Sequence, residues 1–143
     1  MRLERRRKQE GGFTLMEMLV VLVVMGLIAA VAIPQVMKLL GSAKAKAAHI
    51  QIQTVENSLN YFQLDMGRFP TGQEGLGALM KAPAGVDGWN GPYVRDAKQL
   101  TDPWGHPLVY KADVDGKPYK LESLGADNKE GGTGDDQDIV AEP

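Results

Sequence analysis

Between Phe13 and Ile33 the only polar side chains are Thr14 and Glu17. About 20 apolar residues at 1.5 Å each span the hydrocarbon of a bilayer, so this run predicts one membrane-crossing helix. Pro34 follows, but the helical pattern resumes behind it. Val36, Leu40, Ala43, Ala47 and Ile50 recur every three or four residues, and Ile52, Val55, Leu59 and Phe62 extend a stripe of the same period. Lys38, Ser42, Lys44, Lys46, Gln53, Glu56 and Asn60 fall opposite and suit water. The pattern predicts one helix from about Phe13 to Leu64, roughly 78 Å long, with a membrane half (13–34) and an amphipathic half (35–64). Pro34 and Gly41 are where it would bend or melt, and the sequence leaves both readings open.

Past Leu64 the helical period ends in a Gly- and Pro-containing stretch, Asp65 to Gly72. Gln73–Lys81 then reads as a short helix that turns Leu76, Leu79 and Met80 to a core. Residues 82–93 read as a long loop pinned by aromatics such as Trp89, and Leu100–Pro107 as a further turn-rich connection. Leu108–Lys111 and Tyr119–Leu124 both alternate, and Asp115-Gly116 between them is a hairpin turn signal. The expected fold is α+β: one long N-terminal helix packed on a small antiparallel sheet of two or three strands, with a loop-rich C-terminal region.

Composition adds topology. The 143 residues contain no cysteine, which removes disulfides, thiolate metal sites and a cysteine nucleophile. Arg2, Arg5, Arg6, Arg7 and Lys8 stand before Phe13 against Glu4 and Glu10. Taken from totals of 16 basic and 18 acidic residues, these leave 11 and 16, a balance of −5. A positive flank stays in the cytoplasm, so the C-terminal part is expected to face outward. The basic leader abuts a membrane span, and topology explains it better than nucleic-acid binding does. The charge pattern divides the chain into a cytoplasmic leader (1–12), the two helix halves (13–34 and 35–64) and an outward-facing head (65–143).

Glu17 sets the run apart from an ordinary anchor. An ionised carboxylate within the membrane costs roughly 2.5–3.5 kcal/mol even on the lenient insertion scale, and such a group usually has a partner. The helix offers no basic residue before Lys38. Cutting after Gly12 would make one, because the amine of Phe13 would lie one turn from Glu17 and could pair with the Glu17 of a neighbouring subunit. Gly12, Phe13 and Glu17, with the apolar run behind them, resemble the class III signal of type IV pilins and pseudopilins. The resemblance implies a type IV pilin-like fold. It also implies that a prepilin peptidase cuts between Gly12 and Phe13 and methylates Phe13, and that Glu17, fifth from the new terminus, serves assembly. Further along, GRFPT, QEGLGAL, GPYV, DPWG and SLGAD…DI are similar to the major pseudopilin of type II secretion. That likeness implies a homopolymer anchored in the cell inner membrane, its head in the periplasm, working with minor pseudopilins and an inner-membrane assembly platform.

The last 17 residues hold Asp127, Glu130, Asp135, Asp136, Asp138 and Glu142 against Lys129 alone. Two carboxylates 6 Å apart repel by roughly 3 kcal/mol at an effective dielectric of 20, so an ordered fold here needs a cation; the bland alternative is a solvated acidic tail. Calcium suits oxygen ligands in a flexible loop. The resemblance implies the same ion, with Asp127, Asp138 and one of Asp135 or Asp136 as ligands, plus the carbonyl of Leu124 and one from residues 131–133. Gln137, Asn128 and the ending Val140-Ala141-Glu142-Pro143 depart from that pattern. Asp113 to Gly116 lacks the glutamate that closes an EF-hand, and a hairpin turn is expected there.

No catalytic activity is expected. His49 and His106 have neither nucleophile nor metal cluster beside them in sequence, and no serine sits in a nucleophile elbow. Two other functions compete. Ala30 to Ala32 offers a conventional cleavage site that would release a soluble periplasmic calcium-binding module, and a type IV pilin of a surface fibre would share the leader, though such pilins more often carry a C-terminal cysteine pair.

Overall fold

The computed structural model describes residues 12–141. Its elements are helix α1 (Leu15–Met66) and strands β1 (Val109–Val114), β2 (Lys117–Ser123) and β3 (Ile139–Ala141), with short 3-10 turns at Gly75–Leu79, Ala97–Leu100 and Gly134–Asp136. Helix α1 continues past both Pro34 and Gly41. The chain divides after Lys38 into two units.

In the first unit every described residue is exposed except Ala29, which is half-buried. With its apolar side chains uncovered in this way, the run has the length and composition to cross a bilayer.

The second unit has a core because α1 carries a second, narrower stripe. Gly41, Ala48, Ile52, Val55, Ser58, Leu59 and Phe62 are buried. The lower half of the expected stripe is on the wrong face: Val36, Leu40, Ala43, Ala47 and Ile50 are all exposed. Small residues, Gly41, Ala45 and Ala48, face inward instead. The cause is close approach. The Asp135 carboxylate rests where a Cβ on Gly41 would stand, so the glycine lets this acidic side chain lie directly against the helix. Phe62, Leu59 and Tyr119 are fully buried, each side chain contributing ~1.5–3 kcal/mol.

The sheet is antiparallel in the order β1-β2-β3. Asp115 and Gly116 turn the first hairpin with φ of 52° and 77°, the backbone that Asp-Gly favours. Register sets Val109 opposite Glu122 and Lys111 opposite Lys120, while Glu122 faces Val140 on the other side. Tyr119, Leu121 and Ser123 therefore share the inner face and are buried. Tyr119 stacks on Tyr110 with centroids 5.8 Å apart and meets Phe69 edge-on at 4.9 Å. Its hydroxyl lies 3.5 Å from Glu56, and burial raises the pKa of that carboxyl.

The Gln73–Lys81 segment is a 3-10 turn rather than an α-helix, with Ala78 and Leu79 buried and Leu76 and Met80 only partly covered. Its entry is held by Glu74, which accepts hydrogen bonds from Arg68 at 2.7 and 2.8 Å and from the Thr71 amide at 2.8 Å. The Arg68 guanidinium holds the Glu74 carboxyl at about 2, so the pair stays ionised near neutrality. The following loop is pinned as expected. Trp89 Nε1 donates to the Ala78 carbonyl at 2.9 Å, Tyr93 hydroxyl donates to Asp65 at 2.6 Å, and the Tyr93 and Val94 amides both donate to the Leu79 carbonyl.

Candidate functional site: the helix start and the acidic closing loop

The sequence offers two candidate sites, one in each unit. At the first, Gly12, Phe13 and Thr14 precede the helix, and Phe13 is exposed. The Glu17 amide donates to Thr14 Oγ1 at 3.3 Å, so Thr14 caps the first turn. Thr14-x-x-Glu17 has the spacing of a capping box, a signal that sequence reading passed over. Glu17 also stands where a helix N-terminus favours negative charge. Among the described residues no basic side chain reaches it within ion-pair distance. The basic leader residues and Gly11 lie outside the described residues.

The second candidate is the loop from Leu124 to Asp138. Its arms meet at the Asp136 peptide. A Cβ on Gly125 would stand 2.6 Å from the Asp136 carbonyl carbon, and one on Gly132 would stand 2.9 Å from the same atom, so both arms need glycine here. The Ala126 amide donates to the Asp135 carbonyl at 2.9 Å and closes the ring. Asn128 turns the outer end with a φ of 55°, the left-handed conformation asparagine tolerates.

The expected ligands are placed unequally. Leu124 is half-buried just past β2, and Asp127 is exposed with Oδ1 accepting from the Lys129 amide at 3.1 Å. Asp135 brings its carboxylate against Gly41 of α1, whereas Asp136 is half-buried. Asp138 Oδ2 accepts from the Gly131 amide at 2.8 Å, while its Oδ1 is buried without a hydrogen-bond partner. Glu142 lies outside the described residues. Among the described residues no three acidic, histidine or cysteine side chains gather at metal distance. The available donors are carboxylate and carbonyl oxygens, the chemistry calcium prefers, and the unpartnered Asp138 oxygen is the observation that fits a cation.

Sequence reading missed one buried cluster. Asp102, fully buried at its carboxylate, accepts from the Trp104 and His106 amides at 3.0 and 2.8 Å through Oδ1 and from Ser123 Oγ at 2.6 Å through Oδ2. His106 Nδ1 lies 3.2 Å from the Gly125 carbonyl and 3.8 Å from Asp102. Serine, histidine and aspartate together suggest a hydrolase, but the geometry argues otherwise. Ser123 donates to Asp102, not to His106, and is wholly buried. The cluster fastens the 101–107 turn to the end of β2 and so to the start of the closing loop.

Comparison with known proteins identifies the helix start as a known motif and the chain as a member of a known family. Residues 35–142 match the family described as "Type II secretion system (T2SS), protein G", and residues 7–33 match the prokaryotic N-terminal methylation motif. The type II secretion system core protein G of Pseudomonas aeruginosa is 42% identical over 138 residues, covering 94% of this chain and 96% of that one. The protein of the same name from Xanthomonas campestris pv. campestris is 37% identical, covering 93% and 90%. The crystal structure of the major pseudopilin from the type 2 secretion system of enterohaemorrhagic Escherichia coli superposes with a TM-score of 0.56 at 26% identity, over 69% of this chain and 86% of that one. With a long N-terminal helix, a small antiparallel sheet and the methylation motif in one chain, this protein belongs to the type II secretion system protein G family.

Proposed function

We propose that this chain is the major pseudopilin of a type II secretion system, cut between Gly12 and Phe13 by a prepilin peptidase, methylated at Phe13, and polymerised into a periplasmic filament that drives export of folded proteins. The observation that carries it is the Gly12–Phe13 bond standing directly before a helix whose first turn holds the one acid of an otherwise apolar run. Hydrolysis of that bond leaves an amine on Phe13, and methylation leaves it able to carry a proton, since α-amino groups titrate near 8. The cation of one subunit pairs with Glu17 of the next, and each offsets the cost of the other in lipid.

Each helix hides its apolar surface against copies of itself, and the positive leader keeps that end cytoplasmic, so the head lies in the periplasm. Minor pseudopilins and an inner-membrane assembly platform complete the machine. The chain is a substrate and a structural element, with no catalysis of its own.

Calcium, when bound, supplies two positive charges to the closing loop and takes six to eight oxygens. Asp127, Asp136 and Asp138, with the Leu124 carbonyl and one from residues 131–133, would hold it. The contact of the Asp135 side chain with Gly41 favours Asp136 as the third acid, and the buried Asp138 oxygen supports the site.

The intact mass of the protein extracted from its native membrane tests processing. A chain beginning at N-methylated Phe13 is expected. A chain beginning at Ile33, after conventional cleavage behind Ala32, would mean a soluble periplasmic protein and would overturn the assignment.

A further inference from the structure

Glu122, like Asp102, is a buried charged group of the head, and it has no comparable set of hydrogen bonds. Its side chain is 1% exposed although it stands on the sheet face opposite Tyr119 and Leu121. Neither carboxylate oxygen has a hydrogen-bond partner of good geometry, yet both have a cation nearby. Lys120 Nζ forms an ion pair with Oε2 at 2.5 Å, and Lys111 Nζ lies 3.8 Å from Oε1. Lys111 and Lys120 are directly opposite each other in the β1–β2 register. Two like charges so placed destabilise a sheet, so the arrangement calls for more negative charge than the strands themselves supply.

That charge comes from the closing loop. Lys111 Nζ lies 3.3 Å from Glu130 Oε1. Asp138 stands two residues before Val140, which pairs with Glu122, and its Oδ1 is buried without a partner. The pKa of Lys120 is raised first by its contact with Glu122, and also by the charges of Glu130 and Asp138, so its ammonium sits in the field of all three carboxylates.

We propose that Lys111 and Lys120, on either side of the buried Glu122 carboxylate, form a docking site on the outer sheet face for the acidic segment 127–138 of the same chain. The two ammonium groups act as resident cations: Lys111 holds the loop closed through Glu130 while Lys120 pairs with Glu122 beside it, with no divalent metal present. The docking site stands beside the calcium reading and does not depend on it. Where calcium also binds, lysines and metal share the neutralisation of one loop, and loss of the lysines makes closure depend on the metal.

Trypsin reports the state of the loop because Lys129 is its exposed basic residue. Cleavage of a transiently opened segment tracks the open population when opening is fast. The test follows appearance of the fragment ending at Lys129 by mass, on the full processed chain in detergent, with chelator and separately with millimolar calcium. Lys120→Met alone strands a buried carboxylate and risks unfolding the head. The double variant Lys120→Met/Glu122→Met removes the pair while filling its volume, and Lys111→Met removes the contact to Glu130. Under chelation each is expected to raise cleavage after Lys129 roughly tenfold over the parent chain, with far-ultraviolet circular dichroism unchanged. Cleavage at the parent rate in both folded variants would overturn the docking site. Calcium reads the other hypothesis separately: if calcium changes cleavage in neither parent nor variants while the variants still open, the lysine site stands and the metal reading falls.

Discussion

Replacing Glu17 with alanine is expected to leave the chain in the membrane and to cut the yield of filaments at least about tenfold, the effect of some 1.4 kcal/mol per subunit contact. Removing the carboxylate makes insertion easier, because the insertion cost of roughly 2.5–3.5 kcal/mol goes with it. The same change leaves the neighbour's Phe13 amine without its counter-charge, and the register between helices loses the one ionic contact that this apolar surface offers. Glu17→Gln separates charge from shape. It retains the side-chain length and a hydrogen-bonding end, so a yield close to that of the alanine variant would assign the effect to charge. Membrane fractionation and sheared-filament yield check both halves of the expectation, and normal filament yield from Glu17→Ala would contradict the pairing.

Calcium is expected to raise the melting temperature of the head, and Asp127→Ala to abolish most of that rise. Ligand linkage sets the scale: a metal a hundredfold above its dissociation constant adds about 2.7 kcal/mol, which for a small head is several degrees. Under chelation the variant should melt close to the parent, since Asp127 is exposed and its remaining contact is one hydrogen bond from the Lys129 amide. Calorimetry of both proteins, with chelator and with calcium, checks this. An equal loss in the two conditions would show that Asp127 serves the loop fold and not a metal.

The long helix was legible because its signals are local. An apolar run of bilayer length and a period of three to four residues need no knowledge of what packs against them, and the Asp-Gly hairpin likewise declares itself. The face that α1 turns to the head was not legible below Ile52. Two apolar stripes compete there, and the buried one is the face that meets distant parts of the chain such as Asp135, whose carboxylate rests against Gly41 from 94 positions away in sequence. Period alone cannot tell an inward stripe of Gly41, Ala45 and Ala48 from an outward one of Leu40, Ala43 and Ala47.

The sites divide in the same way. Gly12, Phe13 and Glu17 form a contiguous motif and could be read directly. In the closing loop, the acids are obvious in sequence, but their inequality is not: Asp135 lies against Gly41, and Asp138 buries an oxygen. Ser123 and Asp102, separated by 21 residues, meet only because the 101–107 turn folds onto the end of β2. Strand alternation marks Glu122 as outward-facing; its burial depends on the Lys111 and Lys120 side chains beside it and on a strand, β3, that joins the sheet later in the chain.

The central claim is assembly, and electron microscopy of this chain produced together with its prepilin peptidase and assembly platform tests it most directly. Filaments whose subunits begin at Phe13 and pack their N-terminal helices together in the interior are the predicted result. A processed chain that stays dispersed in the membrane and forms no filament with that machinery present would contradict it.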